Sequence, residues 1–427
     1  MSDQPAQPPP DGVSRRALLA GAAAAAGGAA LAGLRPVLAQ GAPSGASPAS
    51  AVPLVAPPDP TAVPGLPSAE LGPRSPFEAP SLAPTAVTTG SANTPLQALH
   101  GTITPADLHF QRHHAGIAII DPARWKLLVH GLVDREMIFS LDDLKRLPAV
   151  TRTHFVECAG NGRTAYRSPK REMTPQSVDG MTSNTEWTGV LVSTLLRECG
   201  VRSGARWVLA EGGDASLLSR SIPLEKMLDD AMLAFAQNGE ALRAANGYPV
   251  RLLLPGYEAN TNVKWLRRLE LGAEPTMTRN ETAKYTDPLP GGKARIFSFT
   301  MDAKSVITSP AHPERLSGAG WRQVTGLAWT GRGRIARVDV STDGGRTWKA
   351  ATLDEPVLPK AHTRFRFPWQ WDGTPARLMS RAVDETGYVQ PTLEEFRRVR
   401  GAGTDYHFNH IRAWDVDADG NVFFAVD

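Results

Sequence analysis

The sequence predicts an α+β domain followed by an all-β sandwich of immunoglobulin type, and three observations predict it. Between about residue 96 and Arg279, strand-like runs alternate with short helices that carry recognisable caps. After the Pro288–Gly292 stretch the helical signals stop, and short strands of alternating apolar residues separated by turn residues take over. Ahead of both, residues 40–95 are rich in Pro, Ala and Ser and lack a periodic apolar pattern, so they cannot bury enough surface to offset their ordering entropy.

In the first domain, Trp125 to Val133 reads as a strand entering a turn. Ser140 caps a helix that begins at Leu141, because its hydroxyl can accept from the free N–H groups of the first turn. Val192 to Cys199 is an amphipathic helix stopped by Gly200, with Cys199 in the apolar stripe as a core residue. Arg251 to Gly256 reads as a buried strand. In the tail, Ile335 to Val340 alternates into the turn Asp343-Gly344-Gly345. Phe365, Phe367, Trp369 and Trp371 recur at every second residue, which puts four rings on one strand face. Leu378 to Val383 then runs into a turn at Asp384–Gly387.

The chain thus divides into residues 1–39, 40–95, 96–287 and 288–427. Ser14-Arg15-Arg16, the Ala/Gly/Leu run to Leu34 and Val37-Leu38-Ala39 read as a twin-arginine signal cleaved after Ala39, which implies a periplasmic protein exported already folded. The competing reading is a transmembrane anchor, but the run is mostly Ala and Gly and weakly apolar for a bilayer span. Residues 40–95 form a tether or arm, unless part of them wraps over the folded body with Phe77 as an anchor. The 46 basic residues nearly balance 43 acidic ones, which argues against nucleic acid as a partner. Two cysteines exclude a disulfide scaffold and an iron–sulfur cluster, which needs about four thiolates. No C-x-x-C-H occurs, so the chain is expected to carry no c-type haem, and any electrons must leave through another protein.

The most informative stretch is His154-Phe155-Val156-Glu157-Cys158-Ala159-Gly160-Asn161-Gly162-Arg163. A strand delivers Cys158 into a loop of small residues that let backbone approach a bulky group, and the cation Arg163 follows. Thiolates ligate soft metals, and nearby positive charge favours the thiolate. Read alone, Cys158 could equally be a buried core residue, or a hydrolase nucleophile with His154 as base. A binding module with the tail domain as its working part is a further rival.

Four segments in order decide between these readings: Phe110-Gln111-Arg112-His113-His114, Glu157 to Asn161, Glu186-Trp187-Thr188-Gly189-Val190, and Asn238-Gly239 to Lys264-Trp265-Leu266-Arg267-Arg268 with Gly247-Tyr248-Pro249-Val250-Arg251 inside it. Together they resemble the sulfite-oxidase family of molybdopterin enzymes, over the chain after about residue 96. The resemblance implies a molybdopterin-binding α+β domain followed by an immunoglobulin-like dimerisation domain. It implies Cys158 as molybdenum ligand, Arg112 and Arg163 in an anionic-substrate pocket, and Arg400 as a third pocket arginine. Phe110, Arg112, His114, Asp214, Asn246, Arg251, Asn262, Val263 and Lys264 would join Cys158 in holding the pterin and its phosphate. Asn246 replaces a histidine common in the family, and an amide can still hydrogen-bond the cofactor.

The reaction implied is oxygen-atom transfer from molybdenum to sulfur, with electrons passing to a c-type cytochrome. The phrases Glu258 to Trp265, Lys304 to Thr308 and Val389 to Thr392 most resemble the branch that oxidises sulfane sulfur held on a carrier protein, in homodimers or in complex with a cytochrome subunit. The alternative is a periplasmic dehydrogenase of free sulfite. Phe235 is aligned with the family's active-site tyrosine, so the missing hydroxyl is expected to disfavour free sulfite.

Overall fold

The computed structural model describes residues 67–289 and 291–426. The twin-arginine motif and its cleavage site lie outside the described residues. No described helix is long and apolar enough to cross a membrane.

The expected α+β domain is dominated by strands, with helices of at most eight residues. One sheet runs in the order Glu240–Ala241, Met232–Gln237, Thr182–Leu191, Ala149–Glu157, and Arg251–Leu253 pairs with Met232–Gln237. The other runs Met137–Phe139, Leu127–Gly131, Leu266–Gly272, Trp207–Gly212, Ser219–Pro223. Only Leu127–Gly131 and Leu266–Gly272 pair in parallel in these two sheets. The helix Val192–Cys199 buries Val192, Leu195, Leu196 and Cys199, the i, i+3, i+4, i+7 face its sequence predicts, and ends at Gly200 with φ 73°. Ser140 closes a capping box: it accepts from Asp143 N–H at 3.2 Å while Asp143 accepts from Ser140 N–H at 2.8 Å.

The ordered body begins earlier than the composition suggests. Ala83–Pro84 and Gly90–Asn93 form a three-stranded sheet with Gln111–His113. Part of the Pro/Ala/Ser-rich stretch therefore does wrap over the body, held by backbone hydrogen bonds rather than by apolar burial. Phe77 is no anchor: it is 93% exposed.

In the tail, a four-stranded sheet (Lys304–Ser309, Gly320–Trp329, Thr363–Trp371, Thr352–Leu353) faces a five-stranded one (Lys349–Ala350, Ile335–Ser341, Ala376–Asp384, Ala413–Val416, Val422–Phe424) across one core. Phe365, Trp369 and Trp371 are buried in that core and Phe367 packs against it half-buried, as the alternation predicts. Phe365 lies opposite Gly326, where an added Cβ would meet its ring at 2.3 Å, so the glycine makes the room the ring fills. The other face of the same strand docks on the first domain: Arg364 donates to the carbonyls of Gly101 at 2.6 Å and Leu99 at 3.1 Å. Leu96, Phe155, Met301, Val306, Leu327 and Trp329 complete a small core between the domains. Phe365→Ala is expected to cost about 3–5 kcal/mol, read as a lower midpoint in urea unfolding. A loss within about 0.5 kcal/mol, the usual size for a surface change, would contradict this packing.

Candidate active site

Cys158 follows directly on the strand Ala149–Glu157, and its loop is fixed from both domains. Its N–H donates to Met181 O at 3.0 Å, and its carbonyl accepts from Asn161 N–H at 2.9 Å. The Asn161 amide donates to Glu157 at 2.9 Å and to Asp179 O at 2.9 Å, while its oxygen accepts from Met181 N–H at 2.9 Å. From the tail, His407 N–H donates to Ala159 O at 2.7 Å. Gly162 has φ 92°, and a Cβ there would meet Arg412 Nη2 at 2.4 Å, so only glycine suits the turn.

Beneath the loop lies a buried ionic cluster. Glu157 accepts from Lys304 Nζ at 3.1 Å and from Trp329 Nε1 at 2.6 Å. Lys304 also pairs with Asp179 at 2.6 Å, and Arg412 with Asp179 at 3.4 Å. All four charged groups are buried, two carboxylates against two cations. Lys304 and Arg412 hold the Asp179 carboxyl below the usual carboxylate range despite its burial.

Above the loop is a cleft lined by Phe110, Arg112, His114, Cys158, Asp214, Asn246, Arg251, Asn262 and Lys264 together. It opens into an outer chamber of about 660 Å³ that Arg112, His114 and Cys158 share with Arg163, Lys284, Tyr285 and Tyr406. Burial pushes the Cys158 thiol up, while the Gly160 N–H and the guanidinium groups of Arg112 and Arg163 oppose that shift. Arg163 itself donates to Asp405 O at 2.9 and 2.6 Å and lies 5.1 Å from the Tyr406 ring centre.

The inner cleft is strongly cationic. Arg251 donates to the carbonyls of Asn246 at 3.2 Å and Asn262 at 3.0 Å, and burial lowers it to about 10. Lys264 donates to the carbonyls of Arg112 at 3.1 Å and Ala245 at 2.9 Å, and lies 2.9 Å from His113 Nδ1. Burial and the Arg251 charge push Lys264 well below its ordinary value. Burial, reinforced by the Lys264 and Arg112 charges, lowers His113 to about 3, and burial with Arg112 lowers His114 to about 4. Arg112, Arg251 and Lys264 make no ion pair with a carboxylate among the described residues. His109 Nε2, Arg251 Nε and Asn260 Oδ1 are buried polar atoms of the cleft wall without a partner. A buried cation without a counter-ion is costly, so this wall suits an anionic, multiply hydrogen-bonding group such as a phosphorylated pterin. No set of three or more His, Cys, Asp or Glu that could hold a metal exists among the described residues. Cys158 is the one thiol in the cleft wall, and a soft thiolate beside an anion-binding wall fits a metal carried by a phosphorylated pterin.

Three expected residues lie elsewhere. Arg400 is captured by Asp302 at 3.0 Å and Asp287 at 3.7 Å and does not reach the cleft. Val263 is fully buried in the first domain's core, where its carbonyl accepts from Leu252 N–H. Phe235 sits at a register shift between Ala234 and Ala236 and packs on the same core, lining neither chamber. Asn262 does reach the cleft wall, but its amide is spent on Leu254 N–H and the Glu258 carbonyl.

Of the two tyrosines that line the chambers, Tyr285 borders both, and its hydroxyl lies 3.1 Å from His114 Nε2. Burial and the Cys158 thiolate push its phenol well above the usual range. Sequence reasoning missed it because a loop after the last strand of the domain carries no periodicity. It also missed Asn260, inside the quoted phrase Glu258 to Trp265, and Tyr406. His154 offers Cys158 no base: its Nδ1 lies 3.3 Å from Lys360 O, and burial lowers it to about 4.

The family model for an oxidoreductase molybdopterin binding domain matches residues 114–280, and that for a Mo-co oxidoreductase dimerisation domain matches 295–413. The crystal structure of the sulfane dehydrogenase SoxCD from Paracoccus pantotrophus is similar with TM-score 0.80 and 43% identity, over 87% of this chain and 100% of that one. NADH nitrate reductase 2 of Phaseolus vulgaris is 32% identical over 66% of this chain and 35% of its own length. NADH nitrate reductase of Solanum lycopersicum is 32% identical over 68% and 36%. The chain thus spans about a third of the length of these curated relatives.

Lys304→Met strips both buried carboxylates of a cation and is expected to cost about 3–5 kcal/mol in urea unfolding. Because the folded Asp179 pKa is depressed, its contribution is complete above the ordinary carboxylate value of about 4 and is lost as pH falls through the lower folded value. The variant is expected to lose much of that acid dependence. An unchanged stability–pH curve would show the cluster carries no such weight.

Proposed function

We propose a function within the family to which this chain belongs, the molybdopterin oxidoreductases of sulfite-oxidase type: oxidation of sulfane sulfur held on a carrier protein, with electrons passing to a separate c-type cytochrome. The observation that carries this reading is one thiol, Cys158, sharing a cavity with Arg112, Arg163 and Tyr285. When bound, a molybdenum–pterin group supplies oxygen-atom transfer to sulfur and takes up the electrons released.

The residues divide that work. Cys158 would hold the metal, and Arg251 and Lys264 would hold the pterin phosphate, with His114, Asp214, Asn246 and Asn260 along the cleft wall. Arg112 and Arg163 attract the anionic sulfur and the oxygens it gains on oxidation. Tyr285 carries a phenol that is protonated at neutral pH, as an ordinary tyrosine is, and so can donate to the substrate. The buried walls keep bulk water from screening these charges.

Support for a carrier-borne substrate comes from the likeness to a sulfane dehydrogenase and from the roomy outer chamber. Free sulfite is the second reading, and one observation favours it: the cavity holds the hydroxyl that the alignment of Phe235 assigned as missing. Export to the periplasm is proposed from the Arg15-Arg16 motif, and pairing of catalytic subunits from the dimerisation-domain match.

Steady-state oxidation with one cytochrome acceptor, comparing sulfite with a sulfane-loaded carrier protein, tests the choice. Carrier-borne sulfane is expected to turn over about tenfold faster or more, a difference of about 1.4 kcal/mol. Faster sulfite oxidation selects the second reading, and no turnover of either removes both. Arg163→Gln is expected to lower kcat/KM about tenfold to a hundredfold, the worth of a charge-assisted bond. An unchanged kcat/KM would remove Arg163 from substrate binding.

A further inference from the structure

A second buried ionic cluster lies behind the cavity wall and touches the residues that hold the Cys158 loop through His407. The strand Ser219–Pro223 carries Arg220, which is fully buried between two buried carboxylates. Its Nε and Nη2 donate to the two oxygens of Glu281 at 2.8 and 3.2 Å, and its Nη1 donates to Glu258 at 3.1 Å. Glu281 also accepts from Ser221 N–H at 2.8 Å, and Glu258 lies 3.4 Å from His407 of the tail domain. The guanidinium carbon sits 4.9 Å from the centre of the Tyr285 ring.

Two features make this more than a staple. Glu281 belongs to the short helix Arg279–Thr282, four residues before Tyr285, so the clamp fixes the start of the segment that delivers the phenol. Tyr285 itself has φ 52°, in the left-handed region that a bulky residue keeps only when its surroundings hold it there. Tyr406 accepts from Tyr285 N–H at 3.2 Å and sets its ring 5.4 Å from that of Tyr285, His114 meets the hydroxyl at 3.1 Å, and Arg220 lies against the ring. Of these, only Arg220 grips both the ring and the helix that precedes it. The grip needs a planar fork and a flat face, which arginine has and lysine lacks.

We propose that Arg220 is a positioning residue: clamped by Glu258 and Glu281, it holds Tyr285 in its left-handed conformation with the hydroxyl in the cavity that Cys158 lines. Only the kinetic arm of its test rests on the proposed function.

The test uses the full holoenzyme with two variants at Arg220 and, for kinetics, Tyr285→Phe alone and added to the first. Arg220→Lys keeps the charge and loses the fork. Arg220→Gln combined with Glu281→Gln removes one cation and one anion together, so a folded protein is obtained even if a bare charge change is not tolerated. Crystal structures of both are expected to show residue 285 outside the left-handed region or its ring turned out of the cavity. With sulfite as substrate and ferricyanide as acceptor, Arg220→Lys is expected to lower kcat about tenfold to a hundredfold, the usual effect of a misplaced group. Adding Tyr285→Phe to Arg220→Lys is expected to cost no further factor, because the hydroxyl is already displaced. Tyr285 unmoved in both variants, or losses that multiply in the double variant, would overturn the proposal. The structural readout does not depend on which sulfur compound is oxidised, so it separates a failure of this inference from a failure of the proposed function.

Discussion

Lys304 reaches from the tail sandwich into the first domain and meets Glu157 and Asp179 where neither carboxylate touches water. Much else in the molecule depends on that contact. Glu157 is the last residue of the strand that delivers Cys158, and Asp179 ends the short helix whose carbonyl holds Asn161. One ammonium group therefore ties both walls of the thiol's loop, which draws on both domains. Burying four charges gains little over an apolar core of the same volume. What it gives instead is a single register, since the Glu157 oxygens, the Asn161 amide and the Trp329 indole N–H each have one geometry that satisfies them. The small apolar core around Leu96, Phe155 and Trp329 supplies the adhesion between the domains, and the ionic cluster supplies the alignment.

The cavity works by the opposite logic. Around the loop the charges balance, whereas along the cleft Arg112, Arg251 and Lys264 stand without carboxylate partners, and neighbouring histidines are driven to their neutral forms. A wall of that kind is unfavourable until an anion arrives, so binding of a phosphorylated group and stability of the domain are linked. The same field extends through Arg112 and Arg163 to the outer chamber, which favours anionic substrates and the oxygens that sulfur gains on oxidation. Tyr285 adds an uncharged donor among these cations.

How much of this could be read from the residues follows from the range of the forces involved. Capping at Ser140, the stripe of Val192 to Cys199 and the rings of Phe365 to Trp371 are set by neighbours within a few residues, and the structure has them as read. The Cys158 loop and the cationic wall were legible as motifs, and the family resemblance gave them meaning. The hairpin of residues 83–93 was not legible, because Gly, Ser and Ala strands held by backbone bonding show no apolar period. Phe235 misled because a register shift beside it turns a strand residue onto the core, and Arg400 because two nearby aspartates capture it. Lys304 and Arg412 were invisible in their role for another reason. Their partners are more than a hundred residues away, and no local pattern records a contact of that length.

The proposed function rests on Cys158 as the chain's single ligand to a pterin-bound molybdenum. X-ray absorption at the molybdenum edge, on the purified native chain and on Cys158→Ser, tests it most directly. The account predicts molybdenum in the native protein with one more sulfur neighbour than in the variant, where the pterin's phosphate contacts through Arg251 and Lys264 still retain some metal. Equal sulfur counts in the two proteins, or a native chain purified intact from its producing cells with another metal in the cleft, would contradict it.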